Sequence, residues 1–214
     1  MNDAILWTKN DATTVICLSC NHHCHLKNGA RGRCKVRVNK DGRLVSVVTD
    51  LVSSVQMDPV EKKPLYHFLP GSKTFSIGSI GCNFQCSFCQ NNTISVIPQS
   101  GIINGRRTTA QGLVEMAVLH KARSISFTYN EPSIFPELVN DVSTYALRKG
   151  LPSILVSNGF MSTDYVQCMR QTVRAANIDL KSFRESFYRE YCGGHLQPVL
   201  DTLKKIREVG WWLE

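Results

Sequence analysis

The sequence predicts an α/β fold, in which a small Cys-rich β-hairpin module precedes a parallel sheet that rolls toward a barrel. From Thr74 onward, strand-like runs alternate with helical patterns, which is typical of a parallel sheet with right-handed crossovers. Upstream, four cysteines precede two runs in which apolar and polar residues alternate. The runs meet at Asp41-Gly42, a dipeptide that favours a tight hairpin turn. We therefore expect a Cys-rich metal-binding module at residues 12–52, a linker at residues 53–73 and an α/β core at residues 74–214.

The elements of the core follow from hydrophobic periodicity. Short apolar or alternating runs bounded by turn residues predict strands at 74–80, 124–130, 153–157 and 176–182. Apolar residues at helical spacing predict helices at 109–122, 134–148, 163–173 and 198–209. In the linker, prolines at positions 59, 64 and 70 disfavour helix in the residues before them.

The composition is that of a globular protein without a membrane segment. Of 214 residues, 43% are hydrophobic and 20% are charged, with no apolar run long enough to span a bilayer and no signal peptide at residues 1–9. The nine cysteines, an odd number, fit thiols that are kept reduced, so we expect a cytoplasmic protein. Basic residues behind the net charge of +8 gather at residues 31–37 and at Arg106-Arg107, without interleaved aromatic residues. We expect no membrane partner and no nucleic-acid partner.

Three cysteines in one loop are the strongest chemical signal in the chain. Cys82, Cys86 and Cys89 have C-x3-C-x2-C spacing directly after the first core strand. Thiolates this close can ligate three irons of a 4Fe–4S cube. Because no fourth cysteine lies in the same loop, one iron keeps an open position, as in catalytic metal sites. A structural zinc site, which usually has two pairs of ligands, and a disulfide framework in a secreted chain fit this pattern less well.

A second cysteine set lies in the N-terminal module. Its members are Cys17, Cys20, Cys24 and Cys34, and the hairpin behind them has little hydrophobic core of its own. Small domains of this kind use a bound metal in place of a core. We expect one metal here, zinc rather than a second cluster. The neighbouring His22, His23 and His25 could replace a thiolate, but we expect them to face solvent.

Polar residues end three of the predicted strands, although buried parallel strands are usually apolar. Asn130-Glu131 follow the second strand and Ser157-Asn158-Gly159 close the third. In the fourth, Asn177, Asp179 and Lys181 alternate with apolar residues, which predicts that these three side chains face the barrel interior. Since barrels place their chemistry at strand carboxyl ends, we expect a ligand site beside the cysteine loop. A buried ion pair that only stabilises the fold is the alternative.

The motifs resemble those of one enzyme family. The cysteine triad, with Phe88 before its last member, is similar to the signature of radical SAM enzymes, in which the open iron binds the amino and carboxylate groups of S-adenosylmethionine (SAM). The Cys-rich start, residues 58–71 (DPVEKKPLYHFLPG) and the segments TYNEP, SNG and NIDLKSF occur in order. Together they resemble the AmmeMemoRadiSam system radical SAM enzymes, relatives of pyruvate formate-lyase-activating enzyme, over nearly the whole chain.

The resemblance implies a role for each matching residue. It implies that Cys82, Cys86 and Cys89 hold the 4Fe–4S cluster and that Phe88 lies near the adenine of SAM. No catalytic side chain is assigned beyond the cluster ligands. The remaining implied SAM contacts are Asn130 and Glu131 at the amino group, Ser157 and Asn158 near the ribose and methionine, and Asp179 and Lys181 near the methionine carboxylate.

The resemblance also implies a radical SAM barrel of the (β/α)6 type. Asn21 stands where the family usually has proline, and residues 211–214 end the chain where relatives begin a fifth strand and continue through a sixth. Those strands supply part of the adenine-binding wall. We therefore expect a partial barrel, incomplete at the C-terminus, with weak or no SAM turnover.

The function that we expect is reductive cleavage of SAM by the cluster. The product would be a 5′-deoxyadenosyl radical that takes hydrogen from an unidentified substrate, either a small molecule or a protein. A flavodoxin or ferredoxin is the expected reductant. One alternative is an activase that installs a glycyl radical on a partner protein. The other is a non-enzymatic cluster-binding or interaction fragment without turnover.

Overall fold

A computed structural model describes residues 2–97 and 105–214. The strands are β1 Asn2–Asp3, β2 Trp7–Lys9, β3 Val15–Cys17, β4 His25–Leu26, β5 Arg37–Lys40, β6 Arg43–Ser46, β7 Leu51–Val52, β8 Ser54–Pro59, β9 Lys73–Gly78, β10 Arg106–Arg107, β11 Ser124–Phe127, β12 Ser153–Ser157, β13 Val173–Ile178 and β14 Trp212–Leu213. The α-helices are α1 Asn92–Ser95, α2 Ala110–Leu119, α3 Pro136–Arg148, α4 Thr163–Met169, α5 Glu185–Phe187 and α6 Leu196–Glu208. Short 3₁₀ turns lie at Val60–Lys62 and Pro132–Ile134, and a π-helical turn lies at Tyr188–Cys192. None of the helices in the described ranges is long and apolar enough to cross a membrane.

One mixed sheet of six strands, in the order β14-β13-β12-β11-β9-β8, is the framework of the fold. The strands from β9 to β14 in this sheet are parallel to their neighbours, whereas β8 pairs antiparallel with β9. Helices α2, α3 and α4 occur between successive parallel strands, which confirms the predicted α/β core. Because the strands are parallel, the residues that follow β9, β11, β12 and β13 meet at one edge of the sheet.

The fourth predicted strand is displaced from the observed one. The alternating pattern predicted a strand at 176–182, but β13 begins at Val173 and ends at Ile178. The chain leaves the sheet there, since the N–H of Leu180 turns back to the Ile178 carbonyl (2.9 Å). The prediction that Asp179 and Lys181 project from a strand into the barrel interior is therefore wrong, and both residues lie in the loop after β13.

The predicted hairpin of the N-terminal module is confirmed. Strands β5 and β6 pair antiparallel as far as Lys40 and Arg43. Asp41 and Gly42 between them have φ of 51° and 77°, as a type I′ turn requires. Residues ahead of the predicted module also join it, because β1 pairs with β6 and β2 pairs with β3.

Residues 53–73, which the sequence predicts as a linker, contribute the outer strand of the sheet. Strand β8 pairs with β9 from Ser54 opposite Gly78 to Pro59 opposite Lys73. An edge strand tolerates Pro59 at its end, because a missing N–H there breaks no interior ladder. The pairing of β8 with β9 thus places the charged residues of this segment, such as Asp58, beside the sheet.

A buried ion pair fastens the N-terminal module to the α/β core. Arg37 of β5 lies 2.9 Å from Glu137 of α3, and the two side chains are 1% and 7% exposed. The same carboxylate accepts the N–H of Ile5 (2.8 Å), so two segments of the module bind one residue of the helix. It is one of several contacts that attach the module to the core, together with the bonds of Ser19 to Ser133 and of Asn21 to Met161.

Replacing Arg37 by methionine should destabilise the protein by about 3–5 kcal/mol, because it leaves the Glu137 carboxylate buried without its cation. Urea unfolding under reducing conditions measures the change. Arg43→Met is the matched control, since the Arg43–Asp3 pair is about two-thirds exposed and such pairs contribute little. Equal effects of the two substitutions would contradict this role for Arg37.

Candidate functional site

The loop after β9 carries three cysteines to one cavity. Cys82, Cys86 and Cys89 all line a cavity of about 610 Å³. Gly81 opens the loop with φ of +95°, and a β-carbon there would lie 3.0 Å from the Cys34 carbonyl. Both the backbone conformation and the close approach therefore require glycine where the strand turns into the loop.

The surroundings of the cysteine loop raise the pKa of the Cys82 and Cys86 thiols. They disfavour the thiolate form unless a positively charged group lies beside it. Burial raises the pKa of Cys82, and the Glu131 carboxylate raises it further. Burial also raises the pKa of Cys86 to about 12. Ligation to a metal centre would deprotonate these thiols and offset the effect.

The segment Tyr188–Cys192 fixes the cysteine loop from its other side. The backbone N–H groups before and after Cys86 donate to the carbonyls of Cys192 (2.9 Å) and Tyr191 (3.0 Å). This pairing sets the buried Cys192 against the loop. The position of Cys86 therefore depends on the π-helical turn as well as on β9.

Amide side chains connect the cysteine loop to the end of β12 and to the N-terminal module. Asn158 Nδ2 donates to Asn83 Oδ1 (2.7 Å) and lies 3.8 Å from the Cys82 sulfur. His22 Nε2–H donates to the backbone carbonyl of Asn83 (2.8 Å). Burial lowers the pKa of His22 to about 4, so its ring is neutral near neutral pH. Asn83 is thus held from both sides.

Glu131 joins the ends of β11 and β12. Its carboxylate accepts from the Ser157 hydroxyl (2.9 Å), the Asn158 N–H (2.9 Å) and the Ser133 N–H (3.0 Å). Burial raises the pKa of Glu131, while these donors favour its charged form. The Ser157 hydroxyl also lies 3.1 Å from the second carboxylate oxygen, so these donors hold both oxygens of a carboxylate that lines the cavity.

Asn130 binds the start of the cysteine loop. Its Oδ1 accepts the Ser79 N–H (2.9 Å) and its Nδ2 donates to the Gly81 carbonyl (2.9 Å). Asn130 also lines the cavity, so a SAM contact stays a prediction. The observed bonds give it a second task, which is to stabilise the turn that presents the cysteines.

Asp179 and Lys181 reach the same cavity from the loop after β13. They form an ion pair of 2.6 Å, and their side chains are 46% and 22% exposed. A pair this open to solvent contributes little to the fold. Its charges are therefore available to a polar ligand at the cavity mouth.

Phe88 presents a half-exposed ring to the cavity and packs against Phe187, with ring centroids 5.6 Å apart. Its free face can stack on a flat ligand. With Phe88, all ten residues predicted for cluster and SAM binding line this one cavity.

Several cavity residues were not predicted from the sequence. They include Lys62, Lys63, Gln90, Asn91 and Tyr129. The lysines belong to the motif at residues 58–71, but proline content indicated only a linker there. Their place in the cavity follows from the pairing of β8 with β9, which no local pattern reveals.

The N-terminal cysteines occupy one part of the module. Cys17, Cys20 and Cys34 are buried and Cys24 is partly buried. The sulfurs of Cys24 and Cys34 both lie 3.7 Å from the point where a side chain on Gly32 would begin. Within residues 2–97 and 105–214, however, no three His, Cys, Asp or Glu side chains converge into a site for a single metal ion.

The sequence matches the model of the radical SAM superfamily over residues 76–213, which is more than half of the chain. The protein belongs to the radical SAM superfamily.

The chain is similar to a curated protein in sequence and to solved structures in fold. The chain is 38% identical over 214 residues to "Uncharacterized protein MJ0808" of Methanocaldococcus jannaschii, and it spans 63% of that protein's length. SuiB of Streptococcus suis, solved bound to S-adenosylmethionine, has a TM-score of 0.50 at 14% identity over 63% of this chain and 31% of SuiB. QueE from Escherichia coli has a TM-score of 0.45 at 11% identity over 74% of each chain. The likeness to SuiB shows a shared fold.

Membership of the radical SAM superfamily implies a 4Fe–4S cluster and SAM, and the cavity residues fit both. In a cube each thiolate binds a different iron, so the three sulfurs need not converge on one point. A triad leaves one iron open, and carboxylate, amide and ammonium groups surround the cavity beside it. This donor set suits an amino acid that binds next to the cluster.

Proposed function

We propose that the protein holds a 4Fe–4S cluster at Cys82, Cys86 and Cys89 and binds SAM beside it for radical chemistry on a substrate. When bound, the reduced cluster supplies the electron that cleaves SAM to methionine and a 5′-deoxyadenosyl radical, which takes a hydrogen atom from the substrate. One observation carries the proposal. The three thiols and the polar ends of three parallel strands open onto a single cavity.

The cavity side chains bind and orient SAM in this proposal. The negative charge of Glu131 attracts the ammonium group, and Lys181 faces the methionine carboxylate. Phe88 stacks on the adenine. Asn158 is bonded both to Asn83 of the loop and, through its N–H, to Glu131, so it keeps the SAM contacts in register with the cysteines.

We further propose that the protein is an AmmeMemoRadiSam system enzyme related to pyruvate formate-lyase-activating enzyme. Residues 58–71 and the Cys-rich start support this assignment, and both lie outside the range matched by the superfamily model. The substrate, a small molecule or a protein, is unidentified, and a flavodoxin or ferredoxin is the proposed reductant. Nine free cysteines suit a reducing compartment such as the cytoplasm.

Anaerobic reconstitution of the full chain tests the proposal. The wild type should take up about four irons and, with dithionite, convert SAM to 5′-deoxyadenosine. Cys82→Ala should lose both the cluster absorbance and the cleavage, whereas Cys168→Ala, which changes an exposed cysteine, should keep both. A full cube in Cys82→Ala, or a loaded wild type that leaves SAM intact, would refute the assignment.

We propose that Cys17, Cys20, Cys24 and Cys34 bind one zinc ion. Four thiolates are a common structural zinc set, and the sulfurs would move inward on binding to about 2.3 Å from the metal. The module needs such a contribution because its separate hydrophobic cluster is small, consisting of Ala4, Val15, Cys17, Leu26 and Leu44.

Elemental analysis of the purified full chain decides the identity of this metal. We expect about one zinc per chain, lost in Cys34→Ala and kept in Cys168→Ala. A wild type that folds without zinc would sink the zinc assignment, and a second set of irons would replace it with a cluster.

A further inference from the structure

Two lysines line the cavity beside the proposed SAM contacts. They are Lys62 and Lys63, and they follow β8, which runs antiparallel to β9. Asp58 pairs with Thr74 near the start of β9, whereas the cysteines follow the end of that strand. At about 3.3 Å per residue, the length of β9 separates the two positions by roughly 13 Å. We call the part of the cavity at Lys62 and Lys63 the lysine-lined end; Tyr129, whose side chain lies against Gly78 at the end of β9 and binds Asp58, connects it to the cysteine end.

Asp58 organises the lysine-lined end. Its Oδ2 accepts from Lys63 Nζ (2.7 Å) and from the Tyr129 hydroxyl (2.5 Å), and its Oδ1 accepts from Lys62 Nζ (2.9 Å). Burial alone would raise the pKa of Asp58, but these three donors hold it below its usual range. The Asp58 carboxylate is therefore charged, and it holds the side chains of Lys62, Lys63 and Tyr129 in the cavity wall.

The charges at this end do not balance. Lys63 is buried, with 2% of its side chain exposed, so it needs the single negative charge of Asp58. Lys62 shares the same carboxylate but is 63% exposed. An ammonium has three N–H donors, and Asp58 takes one of those of Lys62. At the other end of the cavity, Asp179 is paired with Lys181, and the Glu131 carboxylate is bound by donors from the ends of β11 and β12. One positive charge therefore remains at Lys62.

Tyr129 gives the wall a fixed shape. Its φ of 71° lies in the left-handed region, which is rare for a bulky residue. Asn91 Nδ2 donates to the backbone carbonyl of Tyr129 (2.8 Å), and Asp58 accepts from the Tyr129 hydroxyl. Both the backbone and the side-chain tip of Tyr129 are therefore held. Lys63 Nζ lies 4.5 Å from the centre of the ring. Strain of this kind persists at sites where a defined geometry serves function.

We propose that the Lys62 end of the cavity is an anion subsite, and that the substrate carries a carboxylate or phosphate group that Lys62 binds. The inference rests on the proposed function, which places SAM at the cysteine end and leaves the lysine end for the substrate. The spare N–H donors of Lys62 bind the anion, while Asp58 and Tyr129 hold the wall. A role of Lys62 as a mere ion-pair partner of Asp58 is the competing explanation.

Isothermal titration of the cluster-loaded, SAM-saturated protein with inorganic phosphate and with malonate tests the subsite. We expect the wild type to bind at least one of these probes. Lys62→Gln should weaken that binding by about tenfold, since a hydrogen bond to a charged group is lost, and Lys62→Arg should largely retain it. Lys149→Gln, which removes an exposed lysine at the end of α3, should have no effect. The SAM affinity should be unchanged in all three variants.

Two results would overturn the subsite. If the wild type and Lys62→Gln bind phosphate and malonate with equal affinity, Lys62 acts only as an ion-pair partner of Asp58. A SAM affinity that falls in Lys62→Gln would assign this lysine to the SAM carboxylate instead. Failure of the wild type to cleave SAM with dithionite is a separate outcome, since it would refute the proposed function and leave the probe titrations interpretable.

Discussion

The buried carboxylate of Glu131 holds together the strand ends on which the candidate site is built. It accepts from Ser157 and Asn158 at the end of β12 and from Ser133 beyond the end of β11. Asn158 in turn donates to Asn83 of the cysteine loop. Two parallel strands and the loop after a third therefore share one hydrogen-bonded network, and a polar ligand can meet side chains from all three.

The N-terminal module is part of the same framework. Arg37 binds Glu137 of α3, and His22 binds the backbone of Asn83 between the first two loop cysteines. The Cys34 carbonyl also lies close to Gly81 at the start of the loop. A change in the fold of the module would thus reach the cysteine loop through packed and hydrogen-bonded contacts, without any direct contact to SAM.

Local sequence patterns predicted most of the site, because its ligands either share one loop or end a strand. Cys82, Cys86 and Cys89 lie in one short segment of the sequence, and parallel pairing brings Glu131 and Ser157 to the same edge. The alternation of polar and apolar residues misplaced Asp179. This alternation continues past Ile178, whereas the backbone leaves the sheet there. Local patterns also missed Lys62, whose position depends on the non-local, antiparallel pairing of β8, and prolines in that segment indicated only where helix is absent.

The most direct test of the account is the affinity of the cluster-loaded protein for SAM in Glu131→Gln, measured anaerobically by equilibrium dialysis. Glutamine removes the charge that is proposed to attract the SAM ammonium, and it turns an amide N–H₂ toward the N–H donors of β12 and the Pro132–Ile134 turn. We predict at least about a tenfold loss of affinity with the cluster retained, and no loss in Glu115→Gln, which changes an exposed glutamate of α2. A SAM affinity in Glu131→Gln equal to that of the wild type would contradict the account.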